Sequence, residues 1–144
     1  MKTGLRVAFL PFVVAAAIAS GCASTKGGPV IGGSIIPGAS KSSADYITAL
    51  QGGLVGRIAG ANLSRADSQR ALEAEYRALE GARGGQPVTW QGSGVTGSVV
   101  AAAPYQVGSQ NCRQYSHTVT VDGRDTVNRG AACRNPDGSW TPLS

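Results

Sequence analysis

The stretch CRQYSHTVTVDGRDTVNRGAAC, residues 112–133, decides the fold of this chain. Two runs rich in β-branched residues flank Asp122-Gly123, and Asp-Gly is a preferred two-residue turn between antiparallel strands. If the residues on either side of this turn pair, Cys112 lies directly opposite Cys133, in a non-hydrogen-bonded pair with a Cα separation of about 4.5 Å. Disulfides accept Cα separations of about 4.4–6.8 Å. Turn chemistry and cysteine spacing therefore agree on one long hairpin closed by a disulfide.

Further strands are predicted on both sides of this hairpin. A second turn is expected at Asn135-Pro136-Asp137-Gly138, with Pro and Gly in favoured turn positions. If Arg134 pairs with Ser139 across that turn, Trp140 lies opposite Cys133 and covers the disulfide, while Trp90 is available for the other side. The predicted strands are Val88–Gln91, Val95–Ala103, Cys112–Val121, Arg124–Arg134 and Ser139–Leu143.

A helix is predicted over Ser64–Glu80, before the strands. Ser64 is a suitable N-cap, and Asp67 places an acid in the first turn. Gly81 follows as the stop signal. One helix face carries the apolar residues expected to pack in the core, namely Leu72, Tyr76 and Leu79. A helix followed by a small antiparallel sheet is an α+β fold.

The segment 44–62 is apolar and rich in glycine. Gly52, Gly56 and Gly60 recur every four residues, so on a helix they would share one face and allow close packing of a second helix. One interpretation is a glycine-zipper helix at or in the membrane. The alternatives are a small soluble helix packed on the domain and a loosely ordered segment, which are favoured because Arg57 lies in the middle of the stretch and a charge inside a bilayer is costly.

The N-terminus has the pattern of a bacterial lipoprotein signal. Lys2 and Arg6 precede an apolar run, which ends in small residues just before Cys22. The pattern resembles a lipobox, in which Cys22 becomes the acylated first residue of the mature protein, although Ala19 stands where Leu is commoner. We therefore expect a signal peptide over 1–21 and a lipid anchor on Cys22. The absence of Asp after Cys22 favours the outer membrane.

The mature chain is expected to be a tether and one small domain. Residues 22–43 are rich in Gly, Ser and Pro and are predicted to be a flexible linker spanning about 25 Å, with the helix and sheet domain over 63–144. Acylation of Cys22 resolves the odd count of three cysteines and leaves Cys112 and Cys133 to pair. The formal charge of +5 falls by two with the signal peptide, and no basic block argues for nucleic-acid binding.

Few residues offer catalytic or metal chemistry. His117 is the only histidine and is predicted opposite Asn128 in mid-strand, where surface or packing roles are commoner than catalysis. Without a second imidazole or a free thiolate, no zinc site is expected. No cofactor is expected.

Many residues of the second half form a recognisable set: Trp90, Gly97, Tyr105, Cys112-Arg113-Gln114-Tyr115, Thr118-Val119, Asp122-Gly123, Gly130-Ala131-Ala132-Cys133-Arg134 and Pro136-Asp137-Gly138-Ser139-Trp140. This set resembles the surface-antigen domain of the rickettsial 17 kDa antigen family, whose members are lipoproteins with a glycine zipper. The chain departs from the family at Gln114, where an acid is common, and in its single short glycine run. The resemblance implies an outer-membrane lipoprotein. It indicates where the protein is located rather than its biochemical mechanism.

Three functions are compatible with these features. The first is a lipid-anchored surface antigen or envelope structural protein without catalysis. The second is a periplasm-facing module that docks or inhibits an envelope enzyme or binds a wall polymer, for which an exposed patch around Trp90, Tyr105 and Tyr115 would be expected. The third is an enzyme, which would need a pocket joining Asp, Arg and His117.

Overall fold

The computed structural model describes residues 42–143, which form helices followed by one antiparallel sheet. The predicted signal peptide, Cys22 and most of the predicted linker lie outside the described residues. The elements are α1 (Ser43–Ala49), a single 3-10 turn (Val55–Arg57), α2 (Arg65–Glu80), β1 (Pro87–Gln91), β2 (Val95–Ala101), β3 (Tyr105–Val107), β4 (Gln110–Val121), β5 (Arg124–Arg134) and β6 (Trp140–Pro142). The predicted α+β class is confirmed.

The hairpin of β4 and β5 has the predicted register. Val121 pairs with Arg124, and Cys112 pairs with Cys133. Asp122 and Gly123 have φ values of 50° and 72°, as the expected two-residue turn requires. A disulfide joins Cys112 and Cys133, whose Cα atoms are 4.0 Å apart.

The sheet has the order β1-β2-β4-β5-β6, and the short strand β3 pairs with the beginning of β4. β3 was not predicted, and β2 ends at Ala101 rather than Ala103. Ala102 still donates its N–H to Gln114 O, but the chain then leaves β4 and pairs with it again only from Tyr105, where β3 begins.

The predicted register of β6 is wrong by one residue. Ser139 belongs to the loop because its N–H donates to Asp137 Oδ1 and its carbonyl accepts the Asn135 N–H. Trp140 therefore pairs with Arg134, and Thr141 takes the position opposite Cys133. A shift of one residue moves a side chain to the other face of a sheet, so the Trp140 indole reaches α2 and donates to Glu80 Oε2 at 2.8 Å.

Helix α2 begins and ends as predicted, with Ser64 as N-cap and Gly81 as C-cap. Its packing face is different from the predicted one. Leu79 is buried, but Leu72 and Tyr76 are only half-buried at the border of the core. The centre of the buried face consists of Ala71, Ala74 and Ala78, with Glu75 between them. Small side chains allow the helix to lie close to the sheet.

The glycine-zipper helix is not formed. Helix α1 ends at Ala49, and Gly52 and Gly60 have φ values of 85° and 82°, which are incompatible with a continuous right-handed helix. Gly52, Gly56 and Gly60 therefore do not share a helix face. The segment instead folds over the inner face of the sheet, where it buries Leu50, Leu54, Val55 and Ile58. No helix within residues 42–143 is long and apolar enough to cross a membrane.

The two faces of the sheet differ in what covers them. The inner face packs against α2 and the segment 50–63, and its buried side chains include Trp90, Val99, Tyr115 and Val119. The outer face of β2 and β4 carries mostly Thr, Ser and Gln side chains, which are exposed or half-buried. The main core cluster and the buried residues Glu75 and His117 are therefore on the same side of the sheet.

Candidate functional site

The polar centre of the domain lies on the inner face, where α2 crosses the sheet. Glu75 of α2 and His117 of β4 are both fully buried, and Glu75 Oε1 lies 2.7 Å from His117 Nδ1. The other imidazole nitrogen, Nε2, accepts the Trp90 indole N–H at 2.8 Å. Three side chains from α2, β1 and β4 are thus connected in one line.

The hydrogen bonds assign the tautomer of His117. An indole nitrogen can only donate, so Nε2 of His117 carries no proton and accepts from Trp90. The imidazole is therefore neutral, its proton is on Nδ1, and that N–H donates to Glu75. The Trp90 and His117 rings meet edge to face, with an interplanar angle of 89°.

The Glu75 carboxylate accepts four hydrogen bonds. Oε1 accepts from the Val55 N–H at 2.9 Å and from His117. Oε2 accepts from the Leu54 N–H at 3.0 Å and from the Tyr115 hydroxyl at 3.2 Å. Two carboxylate oxygens offer about four lone-pair sites, so Glu75 is fully used in its ionised, acceptor-only form.

The network raises the pKa of Tyr115. Burial is the main cause, and the neighbouring Glu75 carboxylate adds to it, because both oppose a second negative charge at the phenol oxygen. Tyr115 is therefore a hydrogen-bond donor here, and it is not available as a phenolate base.

Two glycines make room for this network. A Cβ at Gly53 would collide with Glu75 Oε2, and a Cβ at Gly97 would collide with the Trp90 indole. Gly97 pairs with Trp90 across β1 and β2, so the indole lies over a position without a side chain. The sequence places these glycines where a carboxylate and a ring approach the backbone.

Two further polar contacts fasten the ends of α2. At its C-terminal end, Arg113 donates to the carbonyls of Ala78 and Leu79 at 3.0 and 2.9 Å. Burial lowers the pKa of Arg113. At the N-terminal end, the Asp67 carboxylate accepts from the Ser64 hydroxyl and from the Ser93 N–H, and the Ser64 hydrogen bond is the largest cause of its lowered pKa.

A third contact joins α2 to the second turn. Arg134 donates to both Glu80 oxygens at 2.8 and 2.9 Å, and Trp140 donates to one of them. The Arg134 hydrogen bonds are the main cause of the lowered pKa of Glu80. Arg113, Asp67 and Glu80 thus each hold α2 to another part of the domain.

Of the residues expected to form a site, His117, Trp90 and Tyr115 are buried, and Tyr105 is partly exposed. His117 lies opposite Asn128 as predicted, but it is a fully buried packing residue bonded to Glu75, and it is not joined to Asp and Arg in an open pocket. Trp90 and Tyr115 are buried as well, while Tyr105 is 37% exposed, so the exposed aromatic patch expected for a binding module is not formed. Among residues 42–143, no group of three His, Cys, Asp or Glu side chains could hold a metal ion.

Sequence reasoning missed Glu75, the residue on which the network depends. The alanine pattern of α2 could have identified Glu75 as a buried residue. Ala71, Ala74 and Ala78 mark the helix face that packs closely, and Glu75 is on the same face. An acid inside a stripe of small residues predicts a buried carboxylate, which in turn requires donors from the opposing layer.

The outer face holds a groove of about 530 Å³. Its lining includes Val100, Gln114, Ser116 and Ala131, and the Arg129 side chain supplies the charge. His117 and Glu75 do not reach it, because they belong to the opposite face. Tyr115 lines the groove as well as bonding to Glu75, so of the network residues only Tyr115 borders it.

Comparison with known proteins places this arrangement in a family. Residues 77–141 match the family model described as 17 kDa outer membrane surface antigen. The chain is similar to the 17 kDa surface antigens of Rickettsia bellii (38% identical over 84 residues, covering 56% of this chain and 53% of the relative) and Rickettsia prowazekii (38% over 76 residues, covering 50% and 48%). The chain thus spans about half the length of these curated relatives, and no solved structure matches it.

Many of the residues that carry the resemblance have a structural role here. Trp90, Gly97 and Tyr115 build the buried network, Cys112 and Cys133 close the hairpin, and the motif around Asp137 forms the turn before Trp140. The family is one of surface antigens and is not a known enzyme family. Residues 77–141 of this chain are thus similar to the family described as 17 kDa outer membrane surface antigen.

Proposed function

We propose that this protein is a lipid-anchored, non-catalytic protein of the outer membrane, which holds a disulfide-braced β domain at the membrane surface. The observation that carries the non-catalytic part is the closed Glu75–His117 pair. Both side chains are fully buried, all four carboxylate lone pairs are used, and the imidazole has a partner at each nitrogen. A catalytic acid or base needs access to a substrate proton, and this pair offers none.

The anchor is supported by the N-terminal sequence and by the family. The lipobox-like pattern before Cys22 predicts acylation, and the family is one of the outer membrane. Stable anchoring requires more than one acyl chain, which lipoproteins of this type supply. The glycine-rich segment adds no anchor, because its apolar side chains are buried on the sheet.

Replacement of the acylated residue tests the anchor. Cys22→Ala should abolish incorporation of labelled fatty acid and release the protein from the membrane fraction. Cys112→Ala with Cys133→Ala is the matched control, because it removes two other cysteines and should leave lipid labelling unchanged. Lipid labelling that persists in Cys22→Ala would refute the proposal.

The alternative is a periplasm-facing module that binds an envelope enzyme or a wall polymer. Its expected aromatic patch is missing, since Trp90 and Tyr115 are buried, so the display role is better supported. Protease treatment of intact cells distinguishes the two locations. Digestion of the domain on intact cells supports display at the cell surface, whereas protection until the outer membrane is opened supports a periplasmic module.

A further inference from the structure

Strand β5 has an open edge on the side away from β4. Strand β6 covers only Ala132–Arg134, and Leu143 donates its N–H to Ala131 O. From Arg124 to Gly130, the described structure gives no backbone hydrogen bond to any strand other than β4. Seven consecutive residues are therefore open to pairing along one edge. The strand is exposed over most of this length, and Val127 is 41% exposed.

The register of the hairpin fixes which groups point to the open edge. In an antiparallel pair joined by a two-residue turn, Val121 and Arg124 form a hydrogen-bonded pair, and bonded and non-bonded pairs alternate from there. Arg124, Thr126, Asn128 and Gly130 thus bond to β4. The N–H and C=O groups of Asp125, Val127 and Arg129 point outward, and the side chains of these three residues all lie on the outer face.

The open edge is self-complementary. We propose that a second copy of this chain pairs its own β5 with this edge, antiparallel and two-fold symmetric about Val127. Val127 is the midpoint of the open stretch from Arg124 to Gly130. Pairing about this point places Asp125 of each copy opposite Arg129 of the other. In this register, the outward-pointing backbone groups of Asp125, Val127 and Arg129 all form hydrogen bonds with the other copy.

The charges favour a second copy in this particular register. Two Asp125–Arg129 pairs form on the outer face, and opposite charges directly across from each other stabilise a strand pair. Within residues 42–143, the Arg129 guanidinium has no hydrogen bond or ion pair to another residue, whereas Asp125 accepts from Thr120. On the inner face, Thr126 would meet Asn128 of the other copy, so no like charges meet. A shift of two residues in either direction would lose both charge pairs.

The other edge of the sheet provides a comparison. Strand β1 is shorter, begins with Pro87 and carries no charged residue, so its sequence gives no preference for self-pairing. Pro and short length are usual ways to discourage edge pairing. The open part of β5 has neither feature. The proposed pairing is also independent of the anchor on Cys22.

Cross-linking of the full chain in the bacterial envelope tests this pairing. In the proposed dimer, the two Val127 Cα atoms lie about 5.5 Å apart, so Val127→Cys should give a dimer with a short bis-maleimide. Thr89→Cys is the matched control, because Thr89 is an exposed residue of β1. The two Thr89 positions would be separated by seven strand spacings, or about 34 Å, and should give no dimer.

Charge reversal tests the register. Adding Asp125→Arg to Val127→Cys places the new arginine of each copy opposite Arg129 of the other. The association constant of the dimer should then fall about five- to thirtyfold. Arg129→Asp should have a similar effect. Asp125→Arg together with Arg129→Asp restores two attractive pairs and should restore cross-linking.

Three results would overturn the proposal. One is a Val127→Cys chain that reacts with a monofunctional maleimide but forms no more dimer than Thr89→Cys. Another is cross-linking that the single charge reversals leave unchanged. The third is a cross-linked product whose mass is not twice that of the chain, because the edge would then bind a different protein.

Discussion

At the scale of single residues, Glu75 joins parts of the chain that are far apart in sequence. It receives donors from residues 20 to 42 positions away in the chain. A buried carboxylate is costly unless its lone pairs are satisfied. The segment 50–63, strand β4 and helix α2 must therefore all be in place together. Within residues 42–143, no buried side-chain nitrogen or oxygen lacks a hydrogen-bond partner. The network therefore specifies one arrangement of these three elements.

Glu75→Gln should destabilise the domain by about 2–5 kcal/mol. Each carboxylate oxygen accepts from two donors and the amide nitrogen cannot accept, so two of the four buried donors lose their partner, and the charge that strengthens the other bonds is gone. The measurement is urea unfolding followed by the fluorescence of Trp90 and Trp140, which are both buried.

Glu73→Gln is the control for this experiment. Glu73 is on the same helix, half-buried rather than fully buried, and its replacement should change stability by no more than about 0.5 kcal/mol. Equal unfolding midpoints for the two variants would show that the Glu75 network does not stabilise the fold.

At the scale of elements, the β4–β5 hairpin has two independent constraints on its register. The Asp122-Gly123 turn sets the pairing from one end, and the disulfide between Cys112 and Cys133 holds it at the other. Because the ladder between them has ten paired positions, the register should survive loss of either constraint. The disulfide then acts mainly by limiting the unfolded chain.

Replacement of Cys112 and Cys133 by Ala should lower stability without changing the fold. The bridge closes a loop with a sequence separation of 21, for which about 3 kcal/mol of stabilisation is expected. Thermal unfolding and circular dichroism measure the two effects separately. Reduction of the unaltered chain by dithiothreitol is the control and should give a similar loss. A spectrum without β structure at low temperature would contradict the expectation that turn and ladder suffice.

At the scale of the whole molecule, carboxylates fasten both ends of α2 to the rest of the domain. The pKa values of Asp67 and Glu80 are lowered from their ordinary values of 3.8 and 4.5. A carboxyl group whose pKa is lower in the folded state contributes stability above its unfolded value, and that contribution is lost as the pH falls through the folded value. The domain should therefore lose stability in acid.

The free energy of unfolding should hold as the pH is lowered to about 5 and fall below pH 4.5. In Glu80→Gln, the acid-induced fall should be shallower, because Gln does not titrate while it can still accept from Arg134 and Trp140. Urea unfolding at a series of pH values measures both curves. Parallel curves for the two proteins would mean that the Glu80–Arg134 contact makes no pH-dependent contribution.

The sequence by itself determined the local features of this protein. The Asp122-Gly123 turn, the register that joins Cys112 to Cys133, and the boundaries of α2 at Ser64 and Gly81 all depend on residues near each other in the chain or on strand periodicity. Turns and helix caps form through contacts between neighbouring residues, so they do not depend on the rest of the molecule. The N-terminal pattern before Cys22 is also local, and it stays a prediction.

Only the tertiary structure decided which groups meet across layers. The Glu75 network joins residues far apart in sequence, and its partners are backbone amides and a ring nitrogen that carry no sequence signature of their own. The segment with Gly52 and Gly60 turns instead of forming a helix because its Leu54 and Val55 amides bond to that carboxylate. The contact of Ser139 with Asp137 is local, but it is the packing of α2 on the sheet that brings Glu80 to the Trp140 indole. For the Glu75 network and the glycine segment, hydrogen bonds between residues far apart in sequence outweighed the local pattern, because a buried carboxylate must be satisfied by whatever donors the opposing layer provides.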